Sequence, residues 1–206
     1  MTTMSIRYDP ASANPGVRYV RLGYLTTFES GQTLTVGDRI GGTKRGAKLT
    51  PAYYALLDSL DPTVGDREFP AAELGLLGWL ADQGLIAVVT DGADLTELTM
   101  VPVPRREMAI VEELEDGYIL RVSEKQPFLV SGLGARFLSL MDGERSLAEI
   151  ARAVKTEVLA DPAVRLAVQD DEREQGRTFD SVLVDEALAL IRDLARSGGV
   201  SFEPPE

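Results

Sequence analysis

Apolar residues fall at three- and four-residue spacing in five stretches of this chain, and each stretch is bounded by residues that start or stop a helix. Tyr53, Leu56, Leu57 and Leu60 follow Thr50-Pro51, a capping hydroxyl and a ring with its φ already set, and the run stops at Asp61-Pro62. Leu74, Leu77 and Ala81 share the inner arc of a helix predicted from Ala71 to Gln83, with Gly84 as its stop. Further on, Phe137, Leu138 and Met141 lie on one face of a helix ended by Asp142-Gly143. Ser146 stands three residues before Glu149, the reciprocal arrangement in which hydroxyl and carboxylate satisfy each other's free amides. Val184, Leu188, Ile191 and Ala195 occupy one narrow arc of a long helix that stops at Gly198-Gly199.

The stretches ahead of these helices are rich in β-formers. Val17 to Phe28 reads as a strand, Thr33 to Val36 as a second, and Gly41-Gly42 as a turn. Leu85 to Val89 reads as the strand that closes the first half. In the second half Met108–Leu114 and Tyr118–Ser123 flank Asp116-Gly117, a strong hairpin signal. Phe128, Leu129 and Val130 form a third short strand, whose leading Pro127 suits a sheet edge because it has no amide to donate.

Two helices, a long third helix and a short strand after glycine describe a winged helix-turn-helix, and the first half follows the same plan. Leu60-Asp61 aligns with Met141-Asp142 at an offset of 81, and Leu74, Leu77, Leu80 and Gly84 align with Leu188, Ile191, Leu194 and Gly198 at 114. The difference is a stretch absent from the first copy. The expected fold is therefore α+β: tandem winged helix-turn-helix domains, each a small antiparallel sheet with a helical bundle. The first, diverged domain spans residues 1–90. Residues 91–104, with Asp91-Gly92, Pro102 and Pro104, have the composition of a linker. The second domain spans 105–206 and contains a charged insertion at about 155–178, expected as helix giving way to a mobile loop.

Composition narrows the chemistry. The 206 residues include neither cysteine nor histidine, which removes disulfides, thiolate-bound metals and the commonest general base. No Gly-rich phosphate loop is present, and Glu112-Glu113 on a strand point to opposite faces. No catalytic residue, metal or cofactor is expected. The net charge is −12 and both halves share it, with 8 basic and 12 acidic residues up to Val103 and 13 and 21 thereafter. That balance, and a long third helix carrying Asp185, Glu186 and Asp193 against Arg192 and Arg196, disfavour nucleic acid. No apolar run approaches a membrane span, and Met1 to Tyr8 lacks an export-type apolar core, so a cytoplasmic location is expected.

The segment Gly-Leu-Gly-Ala-Arg-Phe-Leu-Ser-Leu-Met-Asp-Gly-Glu-Arg-Ser-Leu-Ala-Glu-Ile-Ala, placed after a hairpin and third strand and before a long helix ending at Gly-Gly-Val, resembles the PqqD-like peptide-recognition domains. The resemblance covers roughly Arg106 to Phe202. It implies a non-catalytic protein that binds a ribosomally made precursor peptide, by leader or core, and presents it to modifying enzymes of natural-product biosynthesis. The peptide would add as a strand along Phe128, Leu129 and Val130 and lie against the third helix, at Leu183, Glu186 and Leu190. Leu183 and Leu190 fall beside the core arc, where they either wall this groove, as would Leu76, the first-copy equivalent of Leu190, or belong to a wide buried face or a contact between the two copies. The basic stretch Lys44, Arg45 and Lys48 is a secondary candidate, for an acidic peptide segment; a solvated hairpin is the plainer reading. Trp79 is expected to pack where the two copies meet. The alternatives are an acidic scaffold or partner subunit of a modifying enzyme, a homodimer among them, and a DNA-binding regulator.

Overall fold

The computed structural model describes residues 16–22, 24–28, 31–36, 45–63, 68–90 and 94–203. Among these residues nearly the same order of elements occurs twice. The first half runs β1 (Val17–Arg21), β2 (Tyr24–Phe28), β3 (Gly31–Val36), β4 (Arg45–Leu49), α1 (Pro51–Asp58), α2 (Ala71–Asp82) and β5 (Ile86–Thr90). After a single 3₁₀ turn at Leu95–Glu97 come β6 (Val101–Pro104), β7 (Met108–Leu114), β8 (Gly117–Val122), β9 (Phe128–Val130), α3 (Gly132–Ser139), α4 (Leu147–Val158), α5 (Pro162–Gln175), α6 (Phe179–Ser197) and β10 (Val200–Glu203). In each half the first strand pairs antiparallel with the last, β1 with β5 and β6 with β10. The three strands between them form an antiparallel meander. The fold is thus mixed α+β with small antiparallel sheets.

Local chemistry repeats at the same spacings. Thr50 and Ser131, 81 positions apart, cap α1 and α3 by accepting from the amides of Tyr53 and Gly134. Gly84 and Gly198, 114 apart, take φ of +65° and +70°. The residues that follow them close the helix ends with matching bonds, Leu85 N to Leu80 O at 2.9 Å and Gly199 N to Leu194 O at 2.8 Å. Ser146 and Glu149 form the reciprocal cap of α4, as their spacing predicts.

Four expectations need correction. Val17 to Phe28 is two strands rather than one, because the chain changes sheets at Leu22. That residue donates its N–H to Leu85 O and accepts from Phe202 N at 2.8 Å, so its backbone serves both halves. The stretch taken for a linker is structured: Leu95, Leu98 and Met100 are buried. The carbonyls of Met100 and Leu98 accept from Leu147 N and Ala148 N, supplying first-turn amides of α4 with partners they lack within the helix. The charged insertion restarts as a helix, as expected, but α5 takes up nearly all of it, started by Asp161-Pro162 and stopped by Gly176 at φ +66°, in place of a mobile loop. Finally, the two halves share one contiguous core instead of folding around separate ones. Besides the Leu22–Phe202 bond, Arg18 on β1 pairs with Asp185 on α6, and Arg192 reaches Asp61 at 3.5 Å. The Gly41-Gly42 turn lies outside the described residues.

Helix α6 is the centre of this packing. It touches α3, α4, β1, β10 and the 3₁₀ turn, and nine of its residues are buried, from Phe179 to Ala195. An apolar stripe wide enough to meet neighbours on several sides explains why its burial extends beyond the narrow predicted arc.

Candidate functional site

The third strand of the second meander, β9, pairs with β8 through Phe128–Leu120, Leu129–Ile119 and Val130–Tyr118, and its other edge has no strand beside it among the described residues. Side-chain alternation sends Val130 into the core at 5% exposure and leaves Leu129 55% exposed. Phe128 is half-buried. Two glycines let this strand sit where it does. A Cβ on Gly117, at φ +152°, would stand 2.3 Å from the Val130 carbonyl oxygen, and one on Gly134 would stand 2.6 Å from Val130 Cγ1.

The end of β9 is fastened to the long helix. Ser131 Oγ donates to Glu186 Oε2 at 2.6 Å while accepting from Gly134 N at 2.9 Å, so one hydroxyl caps α3 and anchors α6 to the strand. Strand 128–130 and Glu186, far apart in sequence, are therefore brought together. Leu183 and Leu190 are not part of an open wall: they are 0% and 4% exposed and belong to the core. The correction follows from the breadth of the α6 stripe, which takes up positions on both flanks of the predicted arc. The half-buried α6 positions on the side of Glu186 are Val182, Ala189 and Asp193.

In the first half the candidates lie on separate elements. Lys48, on β4, is exposed, and its aliphatic stem lies near Gly31, where a Cβ would meet Cε at 3.1 Å. Arg45 opens β4, and Lys44 lies outside the described residues. Leu76 is half-buried against the core, whereas its second-half equivalent Leu190 is buried, so the two halves do not present matching apolar walls. Trp79 is 49% exposed, and the element its helix packs on is β5 of the same half, a correction to its expected place where the two copies meet. It stands on the solvent side of α2, where exposed Ala72 and Gly75 bring no large neighbour.

Sequence reasoning missed a cleft of about 390 Å3 lined by Arg21, Arg105, Arg106, Lys125 and Arg196. Its members are scattered along the chain, and the one local signal is the Arg105-Arg106 doublet. Burial pushes the Arg21 pKa down against the pull of Asp58, 3.5 Å away, and the Arg196 charge acts in the same direction as burial. Among the described residues no group of three or more His, Cys, Asp or Glu side chains is placed to hold a metal ion, and no helix is long and apolar enough to cross a membrane.

No family model matches the chain, and neither does any curated protein or solved structure.

Proposed function

We propose that this chain is a non-catalytic peptide-binding protein, two diverged winged helix-turn-helix units of the PqqD-like kind joined through one core. It holds a ribosomally made precursor peptide and presents it to separate modifying enzymes. The observation that carries this reading is the edge strand β9: bonded on one side, bearing the exposed Leu129, and tied to α6 by Ser131 and Glu186. An extended peptide added there gains backbone hydrogen bonds that ask little of its sequence, while Leu129, Val182 and Ala189 offer apolar contacts that discriminate between side chains. The recurring element order supports descent of both halves from one unit of this type. By holding the peptide near a modifying enzyme, such a protein raises the effective concentration of an otherwise weak encounter.

The test is a fluorescence-anisotropy titration with the labelled short peptide encoded nearest the gene, beside a DNA duplex at matched salt. Saturable peptide binding at roughly micromolar concentration, lost in Leu129→Pro, is expected. Tight duplex binding that weakens steeply with salt would replace this reading with that of a regulator.

One observation favours a second reading, in which the chain is a partner subunit of a modifying enzyme or a homodimer. Trp79 is large and exposed on the solvent side of α2, and tryptophan is enriched among the residues that anchor contacts with another protein. Light scattering of the wild type and Trp79→Ser decides it for self-association: a dimer that becomes a monomer supports it, and an unchanged monomer removes the homodimer.

A further inference from the structure

On a chain with twelve surplus negative charges, five of the 21 Lys and Arg side chains line one cleft, and Asp58 is the sole carboxylate among the lining residues. The cleft lies where the halves meet. Arg21 comes from β1, Arg105 and Arg106 follow β6, Lys125 lies in the β8–β9 turn, and Arg196 ends α6. The backbone fixes this convergence, since Arg105 N donates to Gly199 O at 2.8 Å and holds the doublet against the helix end. The Arg106 guanidinium lies beside Gly198, its Nε 3.7 Å from where a Cβ would stand.

One cation near a helix C-terminus answers the partial negative charge of its last carbonyls. Arg21, Arg106, Lys125 and Arg196 together exceed that need and repel one another. Asp58 lies 3.5 Å from Arg21, Arg196 reaches Asp61 only at 4.0 Å, and Arg106 and Lys125 make no ion pair among the described residues. A bound anion would relieve this repulsion. Guanidinium groups favour oxyanions, which they can grip by paired N–H donors. Tyr54 and Leu25 add a phenol and an apolar wall. A long polyanion would overrun the cleft and meet the acidic remainder of the surface, so the site fits a short anionic segment.

We propose that this cleft is a second binding site, which takes the carboxylates of an acidic segment of the peptide ligand. The choice of a short oxyanion rests on the cleft itself; the choice of a peptide, and with it of carboxylates, rests on the function proposed above. Lys125 precedes β9 by only three residues, so one extended peptide can run from the strand edge toward the cleft.

A tetraglutamate peptide carrying an uncharged fluorophore is the probe. The full chain is expected to bind it saturably, more weakly as salt rises, and about tenfold more weakly as the Arg106→Glu/Lys125→Glu double variant. Both replaced side chains are exposed, so folding is retained. The Arg152→Glu/Arg165→Glu variant, with the same change of charge on exposed positions of α4 and α5, controls for net charge. Equal loss in both variants, or no saturable binding, overturns the proposal. Displacement of the probe by inorganic phosphate at lower concentration than by free tetraglutamate, or tighter binding of a DNA duplex, overturns the assignment to carboxylates of a peptide. Leu129→Pro leaves tetraglutamate binding intact, so failure of strand addition and failure of the cleft are read separately.

Discussion

The carbonyl oxygen of Val130 occupies the space that a side chain on Gly117 would need, at 2.3 Å from the position of its Cβ. Val130 Cγ1 likewise blocks Gly134, at 2.6 Å. The two clashes differ in kind, one with backbone and one with the end of a side chain, and the difference is measurable. Gly117→Ala is expected to destabilise by about 2 kcal/mol or more, with added strain from its φ of +152°, and Val130→Ala should not relieve it. Gly134→Ala should also destabilise the wild type, yet be neutral or stabilising in a Val130→Ala background, where the helix gains from alanine. Denaturant unfolding of the two double variants checks both.

Ser146→Ala removes the hydroxyl half of the reciprocal cap on α4. Helix caps of this kind contribute about 1 kcal/mol, and Glu149 retains only its bond to the Ser146 amide. A loss near that size in urea unfolding is expected, with the slope against denaturant unchanged.

Leu190 and Leu129, both expected at the peptide site, part company in the structure, one buried in the core and the other exposed on β9. Leu190→Asp places a carboxylate at a 4% exposed core position and should destabilise the fold by about 3 kcal/mol or more. Leu129→Asp, at 55% exposure, should change stability by less than about 0.5 kcal/mol while weakening peptide binding. Thermal melts and the peptide titration on both variants separate a structural residue from a binding one.

Asp142 predicts an acid-sensitive turn. Its Oδ1 accepts from the amides of Arg145 and Glu144, and these bonds, with a further one from the Arg145 side chain, hold its carboxyl well below the usual aspartate range. A folded-state pKa below the unfolded value means that the unfolded chain binds the proton more readily, so stability rises with pH across the interval. The contribution is complete above the ordinary aspartate pKa of about 4 and is lost as pH falls through the depressed folded value. Asp142→Asn should therefore flatten the acid limb of the stability profile below about pH 4. An unchanged acid limb would show that the turn does not favour the charged form.

The shared core predicts one cooperative unfolding transition rather than one per half. Leu98→Ala, in the segment between the halves, should cost about 2–5 kcal/mol and lower the single transition without splitting it. Two resolved transitions, seen by circular dichroism and by Trp79 fluorescence at different denaturant concentrations, would contradict it.

Signals confined to one element were legible in the sequence. The Ser146–Glu149 box, the glycine stops at Gly84 and Gly198 and the strands around residue 117 stand where their spacing put them. What was not legible depended on partners distant in the chain. Leu95, Leu98 and Met100 read as linker because neighbouring prolines and Asp91-Gly92 have linker composition, although the apolar residues among them bury against the second half. Leu183 and Leu190 read as groove residues because a helical wheel cannot show how many neighbours surround a helix. In α5 the Asp161-Pro162 start was available, but its exposed face carries no apolar period to reveal it. The basic cleft drew on five separate places, with only the Arg105-Arg106 doublet as a trace.

Strand addition at β9 is tested most directly by amide hydrogen exchange on the full chain with and without the short peptide encoded nearest its gene. Binding at that edge should slow exchange at Phe128 to Val130 and along the Val182–Asp193 side of α6, leaving the β2–β3–β4 meander unchanged. Saturating peptide that leaves β9 exchange unaltered, or protects β7 or α2 instead, would contradict the account.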